Sequence, residues 1–244
     1  MAKSTQHPFG VKAFFKSSVV LTFAVDKNQL KSLIPTRLEL DTFEDKWAFI
    51  AIAMVQTEKL RPAVFPEFLG NDFFLVGYRI FVRYKTKSGK NLRGLYILKS
   101  ETDKRKMQFL GNIFTNYNYG LIDVLRISDA KSEIISSQKS GFEIHIDRSK
   151  SEITLPVNSV FSDWKQARRF AGPLPFTFSF DAKQDSVTRV EGVRQNWEPK
   201  PIAIPEYHFS FLDTLNLQNP TLTSAFEIEN VPYSWKKGIV ETWK

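Results

Sequence analysis

The sequence predicts an α+β fold made mostly of antiparallel strands. Three observations carry this expectation. Segments with a cap and 3.6-residue apolar periodicity are few, short apolar runs bounded by turn residues are many, and the apolar content, 42% of 244 residues, runs on without a linker. A helix repeats its apolar face every three or four residues and needs its first N–H groups satisfied, whereas a half-buried strand alternates. The balance favours sheets with a minority of helices. No repeat, low-complexity tract or composition break divides the chain, so one domain over residues 1–244 is expected.

Three helices are expected. Asp26 and Gln29 stand at N-cap and N3 spacing before Leu30, Leu33 and Ile34, and Pro35 stops the run, giving residues 27–34. Ser100 and Asp103 have capping-box spacing ahead of Met107, Leu110, Phe114 and Tyr117, which share one helical face, giving 104–117. Ser162 or Asp163 caps a run carrying Trp164, Ala167 and Phe170 that ends at Gly172 and Pro173, giving 163–171. The stretch 47–57 is long and almost wholly apolar, so both faces should be buried. Residues 78–84 alternate: Tyr78, Ile80, Val82 and Tyr84 face one way, with Arg79, Phe81 and Arg83 opposite. KSGKN then predicts a hairpin turn into a strand over 92–99. Further strands are expected at 122–127, 132–137, 142–147, 152–156, 176–180, 202–211 and 224–228.

The net charge of +8 is concentrated. Residues 79–106 hold ten basic and two acidic side chains, while the remainder balances at 24 of each. Arg79, Arg83, Lys85, Lys87 and Lys90 therefore form a candidate basic surface, and cations interleaved with Phe81 are the type of face that tracks a phosphate backbone. No named nucleic-acid motif accompanies them, so nucleic acid is not the favoured partner. There is no cysteine, which excludes disulfide and thiolate chemistry. His7, His145 and His208 are scattered without metal-ligand spacing, so no metal or other cofactor is expected. No nucleophile elbow or phosphate loop occurs. Asp41, Glu44 and Asp45 read as solvated or capping carboxylates in a turn. No run approaches the roughly 20 apolar residues of a membrane helix. A cytoplasmic protein without membrane association is expected.

Three stretches resemble the acetoacetate decarboxylase-like superfamily. VVLTFAVDKNQLKSLIPTRLELDTFEDKWAFIAIAMVQ has that family's strand, short helix, LDTF motif and second strand. LRGLYILKSETDKRKMQFLGNIFTNYNYG is similar to its middle segment, and SAFEIENVPYSWKKG to its NVPY-x-W ending. Together they span residues 19–238. The resemblance implies a cone-shaped β-barrel with a few short helices. In the decarboxylases the middle segment carries a glycine, an aromatic, a proline and two lysines, the first of which forms a Schiff base. Laid on that pattern, Gly111 matches the glycine and Tyr117 the aromatic, while Asn118 stands for the proline and Tyr119 for the lysine. Lys16 stands about where the family's pocket arginine would, and the family's glutamate would fall in FFLVG, residues 73–77. The resemblance thus points to a branch of conserved proteins that lacks the Schiff-base lysine motif.

These readings give an expectation for function. The chain binds a small organic ligand in a barrel pocket lined by Tyr117, Asn118 and Tyr119, with Asn116 and Lys16 as further candidates, and is not an active acetoacetate decarboxylase. A tyrosine has no nitrogen with which to form an imine. Neutral Tyr and Asn side chains can orient a ligand by hydrogen bonds without ionising. One alternative is a Schiff-base decarboxylase or other lyase whose lysine has moved, to Lys99 or Lys16; a lyase is the leading class if the chain is an enzyme. The other is binding of nucleic acid or another anionic partner through the basic hairpin over 79–106. Oligomeric state is not legible.

Overall fold

The computed structural model describes residues 7–172 and 174–243. Its strands are β1 (Val11–Asp26), β2 (Glu39–Leu40), β3 (Trp47–Pro62), β4 (Asn71–Lys85), β5 (Asn91–Thr102), β6 (Tyr119–Leu121), β7 (Leu125–Ser128), β8 (Ser132–Ser137), β9 (Phe142–Asp147), β10 (Phe176–Asp181), β11 (Ser186–Arg194), β12 (Lys200–Pro201), β13 (Ala203–Phe209), β14 (Thr221–Trp235) and β15 (Ile239–Thr242). The α-helices are α1 (Lys27–Leu30), α2 (Arg105–Phe114), α3 (Trp164–Ala171) and α4 (Ser210–Thr214). The main sheet has the order β12–β14–β1–β3–β4–β5–β10–β11–β15, with β2 on β4 and β6 on β5. β11 also pairs with β14 through Gly192 and Trp235, so the strand path returns on itself. Its pairings are antiparallel except β5–β10 and β5–β6. A second sheet, β13–β9–β8–β7, is antiparallel throughout.

The long central strands bury both faces, with different contents. From β1, β3 and β4, one face contributes Val19, Leu21, Phe23, Ile50, Ile52, Met54, Val76, Tyr78, Ile80 and Val82. These pack with Ile135, Phe142, Ile144 and Ile146 of the second sheet into one core. The opposite face of the same strands carries Ser18, Val20, Ala51, Ala53, Val55, Thr57, Phe73, Leu75, Arg79 and Phe81, which line a cavity. Alternation along each strand makes the division.

The helices differ from expectation in detail. Asp26 caps α1, accepting from the Asn28 N–H at 2.9 Å, and the next turn tightens into a 3-10 helix over Lys31–Leu33. Gln29 does not close a capping box; its amide exchanges hydrogen bonds with the backbone of Gln218. Ser100 lies within β5 and Asp103 accepts from the Phe74 N–H, so α2 begins at Arg105 without a side-chain cap. α2 ends three residues before Tyr117, because Thr115 is extended and its hydroxyl binds the Gly111 carbonyl at 2.8 Å. Asp163 caps α3 through the Gln166 N–H at 2.7 Å. Pro173 lies outside the described residues. Residues 152–156 form no strand, and the run expected to stay extended to 211 turns into α4 at Ser210.

Candidate functional site

The cavity encloses about 290 Å³ between β1, β3, β4, β5 and β14 on one side and the chain around α2 and residues 7–9 on the other. Small residues open it. Ala51 and Ala53 stand where the other face of β3 has Ile50, Ile52 and Met54. Its wall carries Arg61, Arg79, Lys106 and Arg194, and no aspartate or glutamate among the described residues.

Arg79 is the decisive side chain. It sits at the centre of the main sheet, flanked by Ala51 on β3 and Ile97 on β5. Its guanidinium folds back over Gly77, where a Cβ would stand 2.9 Å from Nε. Among the described residues no carboxylate pairs with it, and Nε is buried without a hydrogen-bond partner. Burial pulls its pKa down, against the tyrosine hydroxyls around it. A guanidinium nevertheless stays protonated in proteins, so this is a buried cation whose counter-charge is not in the described chain.

Three tyrosines surround it. Thr115 ends α2, Asn118 takes a left-handed φ of 49°, and the chain turns so that Tyr119 enters β6 with its N–H held by Asn112 Oδ1 at 2.7 Å. Gly111 makes this possible, since a side chain there would collide with the Tyr119 ring. Gly192 does the same for the Tyr233 hydroxyl. Burial raises the pKa of all three phenols, pushing Tyr119 up to about 12 and outweighing the opposing pull of Arg79. They are therefore neutral hydroxyls at ordinary pH. His7 packs on Tyr117 with ring centroids 5.2 Å apart, and burial depresses its pKa to about 4. His7 Nε2, Thr57 Oγ1, Arg79 Nε and Trp197 Nε1 are all buried without a partner, and all four residues line the cavity. Buried polar atoms are normally satisfied, and four of the eight unsatisfied ones among the described residues belong to the lining of this one space.

Of the residues picked from sequence, Tyr117 and Tyr119 line this cavity. Asn118 is exposed and, like Asn116, is not on its wall. Lys16 is exposed and also off the wall. Unbroken alternation from Val20 and Ser18 would carry Lys16 inward, but the β1–β3 register shifts between Phe15 and Ser17 and turns it out. Lys99 is displaced by the same device. Leu95 and Ile97 line the cavity, then the β4–β5 register shifts and Ser100 takes the next inward place. Lys99 instead pairs with Glu101 at 2.7 Å over the rings of Tyr78 and Phe211.

The candidate basic surface divides. Lys85, Lys87 and Lys90 are exposed at the hairpin tip. Arg79 is in the cavity, Phe81 is buried, and Arg83 binds Asp41 at 2.7 Å. Arg93 donates to the other oxygen of Asp41 at 2.7 Å, so Asp41 is a fully buried ion-pair partner and not a solvated turn residue. The interleaved cation–aromatic face thus points inward. Sequence reasoning missed Arg194, Trp197 and His7 as cavity residues, and it placed Arg79 on the wrong side. Tyr233 and Trp235 lay in the NVPYSW motif, which was legible as a family feature before it was legible as a wall.

The DUF2071 family model, described as an uncharacterized conserved protein, matches residues 13–228. The chain belongs to this family. No curated protein matches it significantly in sequence. Among solved structures, acetoacetate decarboxylase from Legionella pneumophila subsp. pneumophila str. Philadelphia 1 is similar over 95% of this chain and 87% of its own, with TM-score 0.59 and 13% identity. An acetoacetate decarboxylase-like enzyme from Sphingomonas wittichii RW1 is similar over 96% and 94%, with TM-score 0.53 and 11% identity. The enduracididine biosynthesis enzyme MppR, in complex with the condensation product of pyruvate and imidazole 4-carboxaldehyde, is similar over 99% and 92%, with TM-score 0.56 and 10% identity. This DUF2071 protein therefore has an acetoacetate decarboxylase-like, mostly-strand α+β fold. None of its described helices is long and apolar enough to cross a membrane.

Proposed function

We propose that this protein binds a small organic carboxylate with an apolar body, inside a barrel-like enclosure formed by the main sheet. The observation that carries the reading is Arg79, a buried cation facing a cavity whose described wall holds no acid. A weakly hydrated guanidinium forms paired charge-assisted bonds to a carboxylate. Neutral Tyr hydroxyls and the Trp197 N–H are further donors. Ala51, Ala53, Val55, Leu95 and Ile97 offer the apolar bed. The fold's relatives include enzymes named for an acidic substrate, and MppR is complexed with a product of pyruvate, which accords with an organic acid here.

Binding is favoured over decarboxylation on chemical grounds. A cation that holds the carboxylate stabilises the reactant over the departing neutral CO₂, and only differential stabilisation of the transition state accelerates the step. A Schiff-base decarboxylase needs an amine in the cavity. Among the described residues the lysine on the wall is Lys106, which is exposed in the first turn of α2, so it supplies the one place where an imine could form. Incubation with acetoacetate and borohydride, followed by intact mass, is expected to give no stoichiometric adduct; an adduct mapped to Lys106 would establish the lyase reading.

The binding test compares octanoate and benzoate with octanamide and benzamide by calorimetric titration. The acids should bind at least about tenfold more tightly than their amides, the scale of one charge-assisted hydrogen bond. Arg79→Met should abolish that preference. Equal affinity of acids and amides, or a preference unchanged in Arg79→Met, would refute the proposal.

A further inference from the structure

Beside the cavity lies an outer cleft lined by Lys12, Lys59, Arg61, Glu67, Arg194 and Tyr233, together with backbone and apolar groups. Arg61, Arg194 and Tyr233 belong to both spaces. Glu67 is the one acid on the cleft wall among the described residues, and Lys59 and Arg61 both pair with it. Four cations thus face one carboxylate. Arg61 is held in place by its own backbone neighbourhood, donating to the Lys59 carbonyl at 2.9 Å and the Phe65 carbonyl at 3.2 Å, while its contact to Glu67 is a loose 3.7 Å. Arg194 lies over the Trp197 ring, 4.9 Å from its centroid, and donates to the Tyr233 hydroxyl at 3.3 Å. Tyr233 stands at the partition, within electrostatic reach of Arg194 on one side and Arg79 on the other, and the missing side chain at Gly192 leaves room for its hydroxyl.

We infer that the ligand carries a second anionic group, received by Lys12, Arg61 and Arg194 in the outer cleft, so that the ligand class is a doubly anionic molecule with an apolar middle. This rests on the carboxylate reading of the inner cavity. One anion meets Arg79, the chain of the ligand passes Tyr233, and the other anion meets the cations on the wall of the outer cleft. A monocarboxylate held at Arg79 would make no contact with these outer cations. A dianion gains a second charge-assisted contact without further cost in translational freedom.

The test is a calorimetric series on the full chain with adipate, suberate and sebacate against hexanoate, octanoate and decanoate, with suberic acid monoamide as the isosteric control. A phosphorylated acid of similar length, 6-phosphohexanoate, distinguishes a phosphate from a carboxylate as the outer group. We expect one dicarboxylate, or the phosphorylated acid, to bind at least about tenfold more tightly than its monoanion. Lys12→Glu with Arg61→Gln should bring it down to the monoanion's level. Lys12 is exposed, so the single Lys12→Glu, with its fold verified by circular dichroism, should lose part of the preference even where the double variant fails to fold. If monoanions and dianions bind equally, or if the preference survives Lys12→Glu and the double variant, the outer site is refuted while the inner carboxylate site stands. If no acid binds and Arg79→Met changes nothing, both fall together.

Discussion

β3 has two faces of equal burial and opposite purpose. Ile50, Ile52 and Met54 fill the space between the two sheets with branched and long side chains. One residue out of step, Ala51, Ala53 and Thr57 are just as hidden from solvent but are small, and they border empty volume. The same contrast holds on β4, where Tyr78 and Ile80 pack into the core and Gly77 and Arg79 do not. Burial alone therefore does not identify structural residues in this protein. What separates the faces is side-chain volume and whether polar atoms are satisfied. Between the sheets, Glu133 and Glu227 are clamped by Arg148, with Arg126 completing the network on Glu133. In the cavity, Arg79 has no such carboxylate among the described residues.

Single substitutions should tell the filled face from the open one. The largest effect is expected at Ile52→Ala, which opens a void in a close-packed core and should cost about 3 kcal/mol in denaturant unfolding. A loss under about 1 kcal/mol would mean the core face is as loosely filled as the cavity face. Gly111→Ala is next. Its methyl meets the Tyr119 ring, and about 2 kcal/mol should be lost, with a changed environment for the ring detectable by near-ultraviolet circular dichroism.

His7 makes one edge of the cavity sensitive to pH. Its buried ring has a pKa of about 4 against an ordinary 6.5, so it docks neutral. Above the ordinary value both docked and released forms are neutral and docking is undiminished. As pH falls through that value towards 4 the released form takes up the proton, so docking of this segment should weaken by about 3 kcal/mol. Hydrogen exchange of residues 7–10 should accelerate over that window in the native chain and lose its pH dependence in His7→Asn, a residue that tolerates the positive φ found there. The smallest stability effect is expected at Ala53→Leu. On a close-packed face it would cost about 1–3 kcal/mol, but here the side chain enters open volume, so stability should change by less than about 1 kcal/mol while carboxylate binding is lost.

The sequence made the alternating pattern of residues 78–84 plain, and with it the two faces of β4. It could not say which face was interior, because both Phe81 and Tyr78 are apolar enough for either. Arg79 was assigned to the surface because it belongs to the cluster of cations over 79–106 and shares a strand face with Phe81 and Arg83. The hairpin over Thr86–Lys90 and the cap at Asp163 were legible because turn and cap chemistry is local. The positions of Lys16 and Lys99 were not, since each depends on a register shift that only the partner strand reveals. The glycines were the unused signal. Gly77, Gly111 and Gly192 lie in or beside regular elements, where glycine is costly, and each makes room for a polar cavity side chain.

We propose that Arg79 is a buried cation that receives the anion of a ligand. Denaturant unfolding of the ligand-free protein and of Arg79→Met tests it most directly. Removing an uncompensated buried charge should stabilise the chain, by about 1–3 kcal/mol, and octanoate should then raise the stability of the native protein but not of the variant. If Arg79→Met is instead destabilised by several kcal/mol without ligand, Arg79 has a partner within the chain and the cavity is not an anion site.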